Sequence, residues 1–196
     1  MTSVPGVAGD ARTVVLARPT RTASQLVRPE VLRQAFRRHA AGVTVVTLVG
    51  PVGLVGFTAT SVASLSAQPP LLSFSLATTS SSAPAMLEAE TLVVHLLSSG
   101  QEELARRFST RGVDRFAPPV RWETLPTGEP LLSDVAVWLR ARIEHRIATG
   151  ESYLVIAEVL ESRVDRADEP LVYHDGHYGT VTDAPAPEGP AQDPEA

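Results

Sequence analysis

The sequence contains neither cysteine nor lysine. Without cysteine the chain has no disulfide, no zinc–thiolate site, no iron–sulfur cluster and no redox-active thiol. All 17 basic residues are arginine, which excludes both a Schiff-base lysine and a P-loop lysine. Any redox chemistry that this chain performs must therefore belong to a bound cofactor.

An excess of basic charge and a long apolar run are also absent. The formal net charge is −5 with no block of basic residues, so neither nucleic acid nor an anionic membrane surface is favoured as a partner. No apolar run approaches the roughly 20 residues of a membrane span. The apolar stretch at residues 14–17 is too short for the core of a signal peptide. These absences predict a soluble, cytoplasmic protein.

Length and local composition predict one folded domain with two extensions. The 196 residues suit a single domain, which at this size buries about 70% of its unfolded surface. Residues 1–27 mix Gly, Pro, Thr, Arg and Ala without periodicity and predict a mobile arm. Residues 183–196 contain many prolines and few core-forming residues and predict a disordered tail. The folded domain is expected over 28–182.

Short strand-like segments dominate the predicted domain. The β-branched run Val43–Val49 and the alternation of apolar and charged residues from Leu139 to Ile147 are typical of strands. Strands are predicted at 43–49, from 54 onward, and at 71–76, 91–97, 139–147, 153–164 and 171–173. Because only brief helices separate them, these segments favour an antiparallel barrel over a helix-alternating parallel sheet.

Three short helices and one long loop are predicted between the strands. Pro29 begins the first helix, at a position where a missing N–H costs nothing. The second helix covers 83–89, and the third begins at a capping box formed by Ser99 and Glu102. Residues 109–130 contain several prolines and are predicted to form an irregular loop of the kind that often serves a binding site.

The most informative stretch is a loop of small residues between two apolar strands. It runs from Gly56 to Ser66 and precedes the apolar run Leu71–Phe74. Residues Thr58–Ser61 carry no bulky side chain, so a planar ligand or a phosphate can approach the main chain closely. The hydrogen-bond donors of this loop are hydroxyl and main-chain N–H groups without a full positive charge. Such donors suit a ligand that binds and later leaves. An ordinary polar turn is the alternative interpretation of the same residues.

Four segments, in this order and spacing, resemble the flavin reductase-like family. These are the FMN-binding split-barrel proteins, which include the small components of two-component flavin monooxygenases. The segments are Gly56–Leu72, Ser75–Ser82, Leu104–Phe108 with Asp114–Phe116, and Tyr173–Tyr178, after an opening that contains Phe36 and Gly42–Thr47. The resemblance implies a mainly β fold, an antiparallel split β-barrel with a few short helices, and a homodimer.

The resemblance also implies three groups of flavin contacts. The first group faces the flavin ring and consists of Thr58, Ala59, Thr60 and Ser61. The second group holds the ribityl chain and the phosphate and consists of Ser75, Leu76, Ala77, Ser80, Ser81 and Ser82. The third group lies on the phosphate or adenylate side and consists of Arg107 and Phe108.

Four positions depart from the residues that are usual in the family. Thr60 and His95 stand where the family often has Asn, and Ser81 stands where it often has Arg or Lys. Losing a cation at Ser81 removes a charge-assisted phosphate contact, which is typically worth about 1.5–3 kcal/mol. His95 either replaces the Asn as a flavin donor or is a strand histidine bonded within the protein. Ser152 takes the place of the histidine in a Gly-Asp-His turn near the nicotinamide.

The closing segment Tyr173–Tyr178 is implied to border the nicotinamide. The residues expected on that side are Ser152, His174 and Tyr178. The pair His174 and His177 looks superficially like a metal site, but the Asp-Gly between them is first a turn signal, and no third ligand lies nearby in the sequence. No metal and no catalytic side chain are expected, because hydride transfer between two stacked rings needs neither.

The leading functional hypothesis is an NAD(P)H:flavin oxidoreductase. It would transfer a hydride from NADH or NADPH to FMN or FAD and supply the reduced flavin to a partner monooxygenase. One alternative is a split-barrel flavoprotein that retains its flavin and oxidises or oxygenates a small organic substrate, which the missing Gly-Asp-His turn favours. Another is a dimeric binding or scaffold domain without enzymatic activity. The sequence does not distinguish FMN from FAD, or NADH from NADPH.

Overall fold

The computed structural model describes residues 26–51, 53–165 and 168–182. The predicted tail and all but the last two residues of the predicted arm lie outside these ranges. The chain divides into two units, residues 1–36 and 37–196. The described part of the first unit is mostly helix α1 (Pro29–Arg37), which begins at the predicted proline and has no buried residue.

Seven antiparallel strands form the main sheet of the second unit. In sheet order they are β3 (Gly53–Ala59), β2 (Thr44–Gly50), β6 (Thr91–Leu96), β9 (Val137–Thr149), β10 (Ser152–Val164), β5 (Pro70–Ala77) and β4 (Ala63–Ala67). The two edge strands, β3 and β4, are consecutive in the chain and only residues 60–62 join them. The sheet must therefore curl until its edges approach. The predicted fold class, mainly antiparallel β with a few short helices, is confirmed.

Two smaller sheets complete the β structure. The first contains β1 (Ala41–Gly42), β11 (Leu171–His174) and β12 (His177–Thr180), and the second contains β7 (Trp122–Thr124) and β8 (Pro130–Leu132). Strands β11 and β12 form a hairpin whose loop is Asp175 and Gly176, with φ angles of 47° and 90°. Two consecutive positive φ angles are typical of a type I′ turn, which Asp-Gly favours. The predicted Asp-Gly turn is thus confirmed.

Two helices pack on the main sheet. Helix α2 (Ala83–Glu88) lies close to β2, because a Cβ atom on Gly50 would come within 2.6 Å of the Ala85 Cβ atom. Helix α3 (Glu102–Ser109) follows a single 3-10 turn. The predicted capping box is wrong by one residue, since Gln101 Oε1 accepts from the Ser98 N–H at 2.9 Å.

The core lies between the curled sheet and the helices. Its larger cluster contains Phe74, Met86 and Leu92, each 1% exposed or less. A second cluster surrounds α3 and includes Phe108 and Leu132, which are 0% and 2% exposed. Burying an aliphatic or aromatic side chain of this size stabilises the fold by about 1.5–3 kcal/mol. These clusters hold the ends of β3 and β5 and the C-terminal turn of α3 in fixed positions.

Two predicted loops contain strands. The prediction of a loop from Gly56 onward is wrong for two parts of that segment. Strand β3 continues to Ala59, and strand β4 occupies Ala63–Ala67. The irregular segment expected over 109–130 contains β7, and β8 begins at its end. No helix in the described part of the chain is long and apolar enough to cross a membrane.

Candidate functional site

One open cavity of about 390 Å³ collects most of the residues that the sequence predicted as flavin contacts. Of the thirteen predicted contacts, ten line it, namely Thr58, Ala59, Thr60, Ser61, Ser75, Leu76, Ala77, Ser80, Ser81 and Phe108. Phe57, Ser109, Arg111 and Arg115 complete the lining, which contains no acidic residue. The cavity therefore combines hydroxyl donors with positive charge.

The floor of the cavity is formed where the two edges of the curled sheet meet. Ser61, just after β3, accepts from the Ser75 N–H at 3.0 Å and donates to the Ser75 carbonyl at 3.1 Å. This double contact joins the end of β3 to β5 across the gap between the sheet edges. Strand β3 pairs only with β2, so main-chain groups on its outer side are available to a ligand. The side chains of residues 58–61 are themselves small, so a planar ligand can approach the main chain of this segment.

Helix α3 forms one wall and is fixed to β3 by two contacts. The Thr58 hydroxyl donates to the Ala105 carbonyl at 2.6 Å. Gly56 allows the ring of Phe108 to lie directly on the strand, because a Cβ atom on Gly56 would come within 2.4 Å of that ring. Phe108 packs edge-on against Phe116, with ring centroids 5.4 Å apart. The aromatic wall is therefore rigid, and glycine at position 56 makes it possible.

Two arginines that the sequence did not assign to the site line the cavity. Arg115 donates from Nη1 to the Gly56 carbonyl at 2.7 Å, and from Nη2 and Nε to the Thr110 carbonyl at 2.9 and 3.2 Å. Burial lowers the pKa of the Arg115 guanidinium below its usual range. No ion pair of the described residues includes Arg115 or Arg111. Because a guanidinium remains protonated at neutral pH, the cavity has two cations without carboxylate partners.

Ser82 lies outside this cavity, although it was predicted as a phosphate contact. It lines an adjacent cavity of about 210 Å³ and is 1% exposed. Its Oγ atom has no hydrogen-bond partner among the described residues, and its side chain does not cap α2. Instead the Ser80 hydroxyl accepts from the Ser82 N–H at 3.2 Å.

His95 also lies outside the cavity, in the core of the main sheet. Its side chain is 0% exposed, and its Nδ1 atom lies 3.0 Å from the Val45 carbonyl. The Nε2 atom accepts from the Leu132 N–H at 3.1 Å, which leaves Nδ1 as the donor. Burial lowers the pKa of His95 from 6.5 to about 4. Of the two interpretations, the structure supports a neutral strand histidine bonded within the protein.

Arg107 belongs to the opposite face of α3. It lines a separate cavity of about 780 Å³ together with Leu104, Val113 and Asp134. Its Nη2 atom donates to the Asp114 carbonyl at 2.8 Å, and its Nε atom is buried without a partner among the described residues. Arg107 therefore holds the loop after α3 in place and does not line the cavity that contains Phe108.

The residues predicted on the nicotinamide side lie at different distances from the cavity. Ser152 pairs across the sheet with Ala77, which lines it. The Tyr178 hydroxyl is hydrogen-bonded to the side chain of Ser109, another lining residue, and burial raises the pKa of this tyrosine. His174 is exposed on β11 and is not part of the lining. Two of the three expected residues thus border the site.

The chemistry of the cavity suits binding and orientation. Within the described ranges no three His, Cys, Asp or Glu side chains are placed to hold a metal ion. The cavity lining contains seven hydroxyl side chains, a phenyl wall and two guanidinium groups. A planar, phosphorylated ligand matches all three features.

The comparison with known proteins identifies the family. Residues 36–182 match the family model described as the flavin reductase like domain. The chain belongs to this family. An NADH:FMN oxidoreductase from Rhodococcus qingshengii is 48% identical over 150 residues, which cover 74% of this chain and 78% of that relative.

Solved structures of the flavin reductase family resemble the fold closely. A flavin reductase domain protein from Arthrobacter sp. FB24 has a TM-score of 0.75 and 42% identity, covering 80% of this chain and 97% of that protein. The NADH:FAD oxidoreductase SgcE6 of Streptomyces globisporus C-1027, solved with NAD and FAD fragments, has a TM-score of 0.73 and 30% identity. That match covers 83% of this chain and 99% of SgcE6.

Proposed function

We propose that this protein is an NAD(P)H-dependent flavin reductase that binds a phosphorylated flavin in the cavity between β3, β5 and α3. The observation that carries the proposal is the cavity lining, which combines an open strand edge, small hydroxyl residues and two arginines that form no ion pair with any described residue. The Rhodococcus relative, an NADH:FMN oxidoreductase, supports the same conclusion.

The flavin ring is proposed to lie against residues 58–61. Main-chain groups on the outer edge of β3 would bond the polar edge of the ring, and Phe108 would support the dimethylbenzene side. When bound, the flavin supplies the redox chemistry, since hydride transfer requires two rings held in contact and no acid–base pair. The work of the protein is therefore to orient the rings and to hold the phosphate.

The phosphate end is proposed to lie beside Ser80, Ser81, Arg111 and Arg115. Ser81 lacks the cation that the family often has at this position. Arg111 and Arg115 approach the same cavity from the loop after α3. They supply the charge that Ser81 cannot, so the loss of a basic residue at that position does not prevent phosphate binding.

The nicotinamide is proposed to enter beside Ser152 and Tyr178. The histidine of the family's Gly-Asp-His turn is absent, and Ser152 stands in its place. The turn itself keeps its position, because the Glu151 carbonyl accepts from the Thr78 N–H at 2.9 Å and from the Thr78 hydroxyl at 3.1 Å. A serine hydroxyl can still donate to a carboxamide, so we propose that reductase activity is retained.

Spectrophotometry tests the proposal directly. Purified protein with FMN and NADH, or with NADPH, should lose the reduced-nicotinamide absorbance catalytically. Absence of turnover with both nicotinamides would overturn the reductase assignment. Flavin that survives dialysis, without nicotinamide oxidation, would instead favour a flavoprotein that oxidises or oxygenates an organic substrate, which the missing histidine motivates.

We further propose that the protein is a cytoplasmic homodimer that delivers reduced flavin to a partner monooxygenase. Helix α1 supports pairing of two copies, because its apolar side chains Val31, Leu32 and Phe36 are 43%, 54% and 65% exposed. Light scattering after size-exclusion chromatography should give twice the chain mass of 20.9 kDa. A mass equal to a single chain would contradict the homodimer.

A further inference from the structure

The cavity of about 780 Å³ lies between α3 and the loop that follows this helix, and the proposed flavin contacts leave it unused. It shares no lining residue with the proposed flavin cavity. Cavities of roughly 300–1,000 Å³ are the size at which proteins bind small molecules. Apolar side chains from α3, the loop and β8 form part of its wall, namely Leu104, Val113, Val120 and Leu132. The wall therefore suits a ligand with an apolar body.

Arg107 presents one end of its guanidinium to this cavity. Its Nη2 atom donates to the Asp114 carbonyl at 2.8 Å, and its Nε atom is buried without a partner among the described residues. The Nη1 atom is not buried and forms no hydrogen bond within the described ranges. No ion pair of those residues includes Arg107. Because Arg107 lines the cavity, its Nη1 end can donate to a carboxylate bound there.

The other charges of the lining decide what kind of carboxylate fits. The two other arginines are each paired with a carboxylate, as Arg106–Glu102 and Arg121–Asp134. Glu103 lies one turn before Arg107 on the same helix and forms no hydrogen bond or ion pair with any described residue. A simple anion at Arg107 would be repelled by Glu103, and a simple cation at Glu103 would be repelled by Arg107. A ligand that carries both charges avoids both repulsions.

We propose that this cavity binds a small zwitterion with an apolar body, which is the chemistry of a free α-amino acid with an apolar side chain. The carboxylate of the ligand accepts from Arg107, and its ammonium group donates to Glu103. Its side chain packs against the apolar wall and leaves water. The inference goes beyond the proposed function and does not depend on it, because the two cavities have separate linings.

Calorimetric titration with L-phenylalanine and three simpler relatives tests the inference. Each relative lacks one feature: 3-phenylpropionate has no ammonium group, phenethylamine has no carboxylate, and glycine has no apolar side chain. L-Phenylalanine should bind the wild-type protein with a Kd of about 0.1–1 mM, and each relative should bind at least about tenfold more weakly. The titration contains neither flavin nor nicotinamide, so its failure would leave the reductase assignment intact. Absence of nicotinamide oxidation would likewise leave this site intact.

Two variants assign the charges of the ligand to the two side chains. Glu103→Gln removes an exposed carboxylate, so the fold should be unaffected, and the Kd for L-phenylalanine should rise about threefold while that for 3-phenylpropionate does not rise. Arg107→Gln should weaken binding of L-phenylalanine and 3-phenylpropionate but not of phenethylamine. Glu88→Gln, exposed on α2 and outside the cavity, is the matched control and should change none of these constants.

Three results would overturn the inference. The first is an absence of binding to the wild-type protein at about 10 mM L-phenylalanine. The second is equal affinity for L-phenylalanine and 3-phenylpropionate, which would show that the ammonium group is not recognised. The third is an unchanged Kd for L-phenylalanine in both charge variants. Because Glu103→Gln breaks no contact among the described residues, the test does not depend on how Arg107→Gln folds.

Discussion

At the scale of single residues, the cavity contains two arginines that form no ion pair with any residue in the described part of the chain. Arg111 lines the proposed flavin cavity and makes no hydrogen bond or ion pair with any other described residue. Arg115 has a second role, since it also fixes the Gly56 carbonyl. Removing Arg111 thus changes the electrostatics of the site with little effect on the fold.

Arg111→Ala should weaken FMN binding but not riboflavin binding. An exposed cation beside a phosphate contributes about 1 kcal/mol, so we expect the KM for FMN to rise roughly fivefold. The KM for riboflavin, which has no phosphate, should change by less than twofold. Arg163→Ala, distant from both cavities on β10, is the control and should leave both values unchanged. An equal loss with riboflavin would contradict the phosphate assignment.

His95→Gln should reduce the dependence of stability on pH. The pKa of His95 lies near 4 in the folded protein, against 6.5 as its usual value, so the unfolded chain binds a proton more readily. The contribution of neutral His95 to the stability of the fold is complete above pH 6.5 and is lost as the pH falls toward 4. When the pH is lowered from 7.5 to 5, protonation of this residue in the unfolded chain should lower the free energy of unfolding by about 2 kcal/mol.

Urea denaturation at several pH values measures this effect. The wild-type protein should lose stability over the stated interval more steeply than His95→Gln, because glutamine does not titrate. His177→Gln, at an exposed position on β12, should keep the wild-type slope. Identical slopes for the wild type and His95→Gln would mean that His95 does not stay neutral in the fold.

At the scale of secondary-structure elements, the contact between α3 and β3 forms one wall of the site. Gly56 allows Phe108 to lie on the strand, and Thr58 fixes the helix backbone. The wall has no space for an added methyl group, because a Cβ atom at position 56 would overlap the Phe108 ring, which the surrounding core prevents from moving away.

Gly56→Ala should therefore move α3 and weaken both folding and flavin binding. Overpacking of this kind costs about 1–3 kcal/mol, and the displaced Phe108 would narrow the cavity. Thermal unfolding and FMN titration measure the two effects. Gly42→Ala, where a Cβ atom would meet nothing within 4 Å, is the control. A Gly56→Ala protein with the stability and FMN affinity of the wild type would contradict the close packing.

The sequence predicted those elements whose signal is local. The β-branched run that became β2 and the alternation in β9 are visible without any tertiary contact. Strand β4 was missed because four of its five residues are alanine or serine and the segment is mostly exposed, so only its pairing with β5 makes it a strand. Arg115 was missed for the same reason, since its bond to Gly56 joins residues 59 positions apart. His95 lies within the apolar run Leu92–Leu97, and this sequence context indicates a buried position.

At the scale of the whole molecule, the curled sheet explains how a cavity forms where the two sheet edges approach each other. Edge strands β3 and β4 follow each other in the chain, so sheet curvature brings the end of β3 beside β5. The loop after α3 then adds two arginines to this seam. The proposed binding site is thus a product of the topology, and a ligand bound there should stabilise the entire second unit.

FMN should raise the melting temperature of the protein, and the rise should grow with the logarithm of the FMN concentration above Kd. For a flavin that must leave after reduction, we expect a Kd of about 10 μM, so 1 mM FMN stabilises the folded state by about 2.7 kcal/mol. In a domain of this size that corresponds to a shift of about 5–10 °C. Differential scanning fluorimetry, or calorimetry where flavin fluorescence interferes, measures it. Riboflavin with the wild-type protein, and FMN with the Arg111→Ala variant, should both give smaller shifts at the same concentration. Riboflavin lacks the phosphate, and the variant lacks the arginine that would contact it. No shift with 1 mM FMN would show that this cavity does not bind the flavin.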